Sequence, residues 1–332
     1  MLRWQTCCAA MRKMLTWDEA RELISSETVG ICSEELTAAP LVSVSLVTYQ
    51  NREFIEQAME SIMAQETDFP FEVVAGDDGS DDGTFDVLGV YHERYPEKVR
   101  LFRSKRNLGR HTGNSRLNLI RNLQACRGKY IALLEGDDYW TFAGKLQAQV
   151  EFMERGGYDL VFHNVEQHWE IEGRRKDLNP APLPNPVSLA AMAGGYIAQP
   201  GSYLFRNDLD WFRDTWFVNL DAADNAIRFY FSCAPRRAGY IHESWSVWRR
   251  RPGTLTDRVT RDGRRHLLER IGILVRLEDR LGCDCSAEKL LLLDRAARLA
   301  LLQSEQCLRP RYWGRLLVRQ ARNLARRIGG AR

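Results

Sequence analysis

The chain has 332 residues, with 47 Lys and Arg against 44 Asp and Glu and 44% apolar residues. That length implies about two domains, or one large domain with extensions. The composition is that of a soluble globular protein and excludes a mainly disordered, collagen-like or disulfide-scaffold chain. No apolar run reaches the ~18 residues needed to span a bilayer, and the start MLRWQTCCAAMRK lacks the basic-then-apolar order of a signal peptide.

The net charge of +3 hides an asymmetry. Residues 309–332 carry eight Arg and no acid, so the remainder has 39 basic residues against 44 acidic ones. A mildly acidic body does not suit a nucleic-acid binder, whose basic surface would lie on the folded part. In the tail, Trp313, Leu316, Leu317, Leu324 and Ile328 share one helical face, and Arg315, Arg319, Arg322 and Arg326 the opposite one. Such a helix suits an anionic membrane surface and equally a terminal helix packed on the body. The expected location is cytoplasmic, with peripheral attachment at the inner face of the cell membrane under the first reading. The eight cysteines form no C-x-x-C pair and read as reduced thiols.

In chain order, residues 1–40 read as an appendage with a short helix over 18–26. The run LVSVSLV (41–47) is a buried strand. Asn51 is placed to cap the helix that follows, with Ile55, Met59 and Ile62 on one face. FEVVAG (71–76) is the second strand, followed by DDGSDDGT and a helix through Val87 and Tyr91. Residues 99–104 form a third strand and 114–126 a helix. KYIALLEG (129–136) is a fourth strand running into Asp137-Asp138. A helix through Leu146, Val150 and Met153 and a strand over 158–163 come next. Residues 180–186 hold four prolines and read as a loop. A strand-like run (201–206), a helix around 224–231 and strands near Tyr240 and Trp245 follow. From Arg261 onward the pattern is all helix, with Leu267, Ile271 and Val275 four apart.

Strands alternating with amphipathic helices imply a mostly parallel α/β sheet, whose ligands bind at the carboxyl ends of its strands. Both acidic pairs, Asp77-Asp78 and Asp137-Asp138, directly follow strands. Adjacent carboxylates at a strand end repel unless a cation joins them, and Mg²⁺ or Mn²⁺ suits oxygen ligands. A bare pair of acids is more often a solvated turn; the buried strand before Asp137 and the aromatic pair Tyr139-Trp140 after it weigh against that here. There is no EF-hand spacing, no GxxxxGK[ST], and no strand leading into GxGxxG.

These segments in this order resemble the family 2 glycosyltransferases. The matching stretches are VSVSLVTYQNREFIEQAMESIMAQ, FEVVAGDDGSDDGT, GKYIALLEGDDYW and KLQAQVEFME, with weaker matches through GSYLFRND, AADNAIRFYF and GYIHESWSVWRRRPG. The resemblance implies a GT-A type fold over 41–258: a mostly parallel sheet flanked by helices, with a nucleotide-sugar half (41–140), an acceptor half (141–258) and a helical C-terminal region (259–332) with a basic amphipathic tail. It implies transfer of a sugar from a nucleotide-diphosphate donor to an acceptor hydroxyl, glycan or lipid-linked, with inversion, in bacterial surface polysaccharide or glycan synthesis. By position, Val47, Thr48, Tyr49, Asp77 and Asp78 would hold the nucleoside, and Arg110 or Arg116 would reach the diphosphate. Asp137 and Asp138 would form the site for Mn²⁺ or Mg²⁺, with Asp138 the direct ligand, and Asp224 would be the general base. Gln50 stands where the family usually has Asn, and Arg251 where relatives often carry His. An inactive sugar-binding relative of the same fold is the alternative reading; a homodimer is compatible with the helices beyond 261.

Overall fold

In the computed structural model the described residues are 14–33, 36, 39–112, 116–208, 210–220, 222–252 and 263–306. The basic amphipathic tail at 309–332 lies outside them. The chain divides into two compact units, Met1–Pro252 and Gly253–Arg332.

The first unit opens with α1 (Trp17–Glu27), set by a reciprocal cap. Thr16 Oγ1 accepts from Glu19 N–H at 3.1 Å and Glu19 Oε2 from Thr16 N–H at 2.8 Å. The segment expected as an appendage joins the sheet: β1 (Thr28–Ile31) pairs antiparallel with β4 (Val99–Ser104) at its edge. β2 (Val42–Thr48), β3 (Phe71–Asp77) and β5 (Tyr130–Glu135) are the central parallel strands. β3 is buried at every position and β2 at all but Val47, as strands covered on both faces must be. Between them run α2 (Ile55–Met63), α3 (Thr84–Arg94), the short α4 (Leu108–Thr112) and α5 (Leu117–Ala125). α2 buries Ile55, Ala58, Met59 and Ile62 against the sheet, the stripe its spacing requires.

Asn51 does not cap α2. The helix begins after Phe54 without a side-chain cap, and Asn51 Nδ2 instead donates to Thr48 Oγ1 at 3.0 Å. Gln50 sits in left-handed backbone (φ 55°), which Asn tolerates better than Gln.

The remainder of this unit is β6 (Tyr139–Trp140), α6 (Lys145–Gly156), β7 (Leu160–Trp169), β8 (Arg174–Asp177), α7 (Leu189–Gly194), β9 (Tyr203–Arg206), α8 (Thr215–Val218), α9 (Ala223–Tyr230) and β10 (Ala238–Arg250). Among the described residues the strand order is β1-β4-β3-β2-β5-β9-β7-β10-β6, with β8 paired to β7. β9 runs antiparallel between β5 and β7, and β10 runs parallel to β7.

The second unit contains α10 (Gly263–Leu281) and α11 (Ser286–Gln306), which pack on each other. The four-apart series Leu267, Ile271, Val275 is not its buried stripe. Leu267, Arg270, Ile273, Leu274 and Leu277 are buried and Val275 is exposed, because steps of four overshoot the 3.6-residue turn and drift off one face. No helix among the described residues is long and apolar enough to cross a membrane. The described cysteines, Cys32, Cys126, Cys233, Cys283 and Cys285, are free thiols.

Candidate active site

The chain leaves β2 toward β3 on one side and returns to β5 on the other, so the carboxyl ends of β2 and β5 flank a switch in winding direction, where an open α/β sheet places its crevice. Val47 and Thr48 close β2 with Tyr49 directly after it, Asp77 closes β3 and Glu135 closes β5. Val47 C=O accepts from Gly136 N–H at 2.9 Å, and Thr48 C=O from Asp78 N–H at 3.1 Å. Gly136 makes the first of these approaches possible: a Cβ there would lie 2.5 Å from Thr48 Oγ1.

Beyond β5 three carboxylates converge. Glu135, Asp137 and Asp138 each offer an oxygen, all within 4.8 Å of one another. Their environments differ sharply. Asp138 is 1% exposed; its Oδ2 accepts from Gln199 Nε2 at 2.9 Å and its Oδ1 from Arg249 N–H at 2.8 Å. Burial, with Asp137 and Glu135 beside it, pushes its carboxyl well above the usual range. Asp137 is less enclosed, and its Oδ2 pairs with Arg251 Nη2 at 2.6 Å. Burial together with the charges of Asp137 and Asp224 pushes Glu135 up to about 8, while Arg116 acts in the opposite direction. Asp224 and Arg116 thus lie within electrostatic range of Glu135. Asp224, in the first turn of α9, also acts on the hydroxyls of Tyr196 and Tyr203. An all-oxygen donor set of this charge fits Mg²⁺ or Mn²⁺.

Asp77 and Asp78 lie at the neighbouring strand end, and both spend their oxygens on the surrounding loops. Asp77 Oδ2 accepts from Ser80 N–H at 2.9 Å and Oδ1 from the Ser80 hydroxyl. Asp78 accepts from the N–H groups of Leu108 (3.0 Å) and Gly109 (3.1 Å), which ties the start of α4 to β3. Burial raises both carboxyls and these hydrogen bonds oppose it. The charge beneath them is Arg121, buried on α5 and drawn down to about 10 by its own burial. On the open side, Arg110 lies over the Tyr49 ring at 5.3 Å.

The profile of glycosyl transferase family 2 matches residues 43–189. Residues 43–189 are a family 2 glycosyltransferase domain. An uncharacterized protein of Mycobacterium tuberculosis is 34% identical over 166 residues, 50% of this chain and 46% of that protein. A putative teichuronic acid biosynthesis glycosyltransferase of Bacillus subtilis, TuaG, is 34% identical over 129 residues, 37% of this chain and 48% of its own. The chain thus spans about half the length of the curated relatives it matches. Among solved structures, a mannosyltransferase of Pyrobaculum calidifontis in complex with GDP-Man and Mn²⁺ has a TM-score of 0.52 at 18% identity, covering 92% of this chain and 86% of that one. That likeness establishes the fold, a GT-A type sheet flanked by helices with a helical C-terminal part.

Within the family 2 domain, the sequence pattern marked Val47, Thr48, Tyr49, Asp77, Asp78, Arg116, Asp137 and Asp138; all but Arg116 lie at or just past the carboxyl ends of β2, β3 and β5, and Arg116 acts on Glu135 through its charge. Asp224, Arg249 and Arg251 lie beyond residue 189 in sequence, yet Asp224 is electrostatically coupled to Glu135, and both arginines touch Asp137. Sequence reading passed over Glu135, Gln199 and Arg228. Glu135 had a signal: it stands two residues before Asp137 with a glycine between. Arg228 had none. It is fully buried and donates to Met192 O and Gly195 O, both at 2.9 Å, tying the segment after α7 to the helix that carries Asp224. His242 is exposed, with Nδ1 3.2 Å from the Tyr240 hydroxyl.

Proposed function

We propose that the protein is an inverting glycosyltransferase that moves a sugar from a nucleotide-diphosphate donor to an acceptor hydroxyl in surface glycan synthesis. The observation that supports this most directly is the convergence of Glu135, Asp137 and Asp138 at the switch point of the sheet, with Asp224 and Arg116 within electrostatic range of Glu135. The family match and a relative named for teichuronic acid synthesis support the class of reaction.

The nucleoside is received between the Val47–Tyr49 edge and the loop pinned by Asp78, with Tyr49 and Arg110 as its open wall. Asp77 and Asp78 shape this pocket. Asp137, with Glu135, is the cation-facing pair; Asp138, enclosed and doubly hydrogen-bonded, orients the turn rather than reaching out. The Asp137 and Glu135 carboxylates would hold a divalent cation such as Mn²⁺ or Mg²⁺, which when bound would supply positive charge opposite the departing diphosphate. Arg116 adds a second positive group on the same side. Asp224 takes the acceptor's proton, and Arg228 holds the segment leading to Tyr196 against the helix that carries it.

Asp224→Asn tests the assignment. The variant is expected to keep the thermal shift given by nucleotide-sugars with Mn²⁺ and to lose transfer by about 10²–10⁴, the range of general base catalysis. Equal loss of donor binding and transfer would place Asp224 on the donor and refute its role as base.

A further inference from the structure

Two guanidinium groups stand over the carboxylates of this site, and they differ in exposure: 8% for the Arg249 side chain and 26% for that of Arg251. Arg249 is fixed on every side. Its backbone N–H serves Asp138, its Nε donates to Glu170 Oε1 at 2.8 Å, its Nη1 reaches Asp137 O and its Nη2 reaches Gln57 Oε1. Arg251 is about a quarter exposed at its side chain and pairs with Asp137 Oδ2 at 2.6 Å, a carboxylate itself about one-fifth exposed. The Phe54 ring lies under both groups, 4.9 Å from Arg249 and 4.1 Å from Arg251, and keeps Arg251 over the site whichever acid it pairs with.

We propose that Arg251 is an exchangeable counter-charge: it occupies Asp137 until a nucleoside diphosphate arrives, then transfers its guanidinium from the carboxylate to the diphosphate, leaving Asp137 open to a divalent cation. The inference rests on the donor-site reading above and adds a direction of coupling to it. A cation alone has to displace an ion pair from its ligand. A diphosphate offers the displaced guanidinium a bidentate partner of the same geometry as the carboxylate it leaves. Cation and nucleotide therefore bind weakly apart and strongly together, each strengthening the other by the same factor.

The test uses the full chain and titrates Mn²⁺ by paramagnetic resonance, alone and with saturating UDP or GDP, in wild type, Arg251→Met, Arg116→Met and Asp137→Asn. Arg251→Met is expected to bind Mn²⁺ alone about fivefold or more tightly than wild type, and to lose a similar factor from the nucleotide's enhancement of Mn²⁺ binding. Arg251→Gln serves as a second substitution, with circular dichroism confirming the fold of each. Unchanged Mn²⁺ affinity in both Arg251 variants, with binding still abolished by Asp137→Asn, would overturn the exchange and leave the donor-site reading standing. An equal effect from Arg116→Met would reduce Arg251 to one charge among several and also overturn it. Absence of Mn²⁺ binding in wild type and Arg251→Met alike would remove both the cation site and the inference.

Discussion

Arg121 is the residue on which the nucleoside side of the crevice rests, and its removal has a pH signature. The guanidinium is 4% exposed, donates to Asn118 Oδ1 and to Ser104 Oγ at 3.2 Å, and lies near enough to Asp77 and Asp78 for all three ionisations to be linked. Arg121→Met keeps most of the volume and deletes the charge. At an interior effective dielectric of about 20, a neighbouring charge is worth on the order of 2 kcal/mol to each carboxylate. The two lost hydrogen bonds add about 1 kcal/mol each. Relief of the arginine's own desolvation offsets part of this, for a net loss of about 3–5 kcal/mol at pH 8.

The sign with pH follows from the carboxyls. Both bind their protons more tightly in the fold than in the unfolded chain, so ionisation costs stability above their raised folded values, and that cost vanishes once both states are protonated. Without Arg121 the cost grows. The variant's deficit should shrink by about 2 kcal/mol or more as pH falls from 8 toward 4, leaving the hydrogen-bond part. Urea denaturation of both proteins at matched pH measures it. A deficit that stays flat, or that widens in acid, would refute the placement of Arg121 as counter-charge to these two aspartates.

Three further stability predictions use backbone positions. Gly76→Ala would set a Cβ 2.3 Å from both Arg121 Nη2 and Asn122 Oδ1 and 2.5 Å from Asn118 Oδ1, forcing the polar face of α5 off the sheet. A loss of about 3 kcal/mol or more is expected from overpacking and the bonds it disturbs. The same change at Gly89, inside α3 with nothing within 4 Å of the added carbon, should stabilise by about 0.5–1 kcal/mol; thermal unfolding that moves both variants the same way would contradict the packing described. Gln50→Gly should raise stability by about 1 kcal/mol by relieving left-handed backbone, unless loss of the Gln50–Asp81 contact cancels it, which Asp81→Ala measured in parallel would expose.

How much of this was legible in the sequence depended on whether a residue's environment is set locally. β2, β3 and β5 were readable because parallel strands buried on both faces need continuous β-branched and apolar runs, and 41–47, 71–76 and 129–136 supply them. Asp77, Asp78, Asp137 and Asp138 were readable because each pair interrupts such a run at its carboxyl end. α5 was readable as a helix but not in its orientation. Its buried side includes Asn118, Arg121 and Asn122 as well as Leu117, Ile120 and Leu123, so residues that look like a solvent face are turned onto the sheet. There Asn122 Nδ2 donates to Leu46 O at 2.9 Å and Val74 O at 3.0 Å, and Asn118 Nδ2 to Gly76 O at 2.8 Å. Local patterning gives no warning of a polar helix face that exists to satisfy strand carbonyls and to place one charge under two acids. β1, β6 and β8 are two to four residues long and take their form from partners distant in sequence, which a local period cannot register.

The stretch from 135 to 138 shows how four consecutive residues acquire separate tasks. Glu135 still belongs to β5, so strand pairing fixes where its carboxylate leaves the sheet. Gly136 follows because any side chain would strike Thr48, and its absence lets the cation side of the site lie against the nucleoside side. After that turn Asp137 and Asp138 face different surroundings. Asp138 is drawn inward to Gln199 and to the backbone of Arg249, which links β5 to the far strand β10 and gives the turn its rigidity. Asp137 is left nearer the opening, paired with Arg251 at 2.6 Å. The buried acid is therefore tied into the fold, and under the proposed function the half-buried acid is the one that would face a cation. Removing the carboxylate at 138 should disturb the position of everything around it, whereas removing it at 137 should subtract one ligand from a site that otherwise keeps its shape.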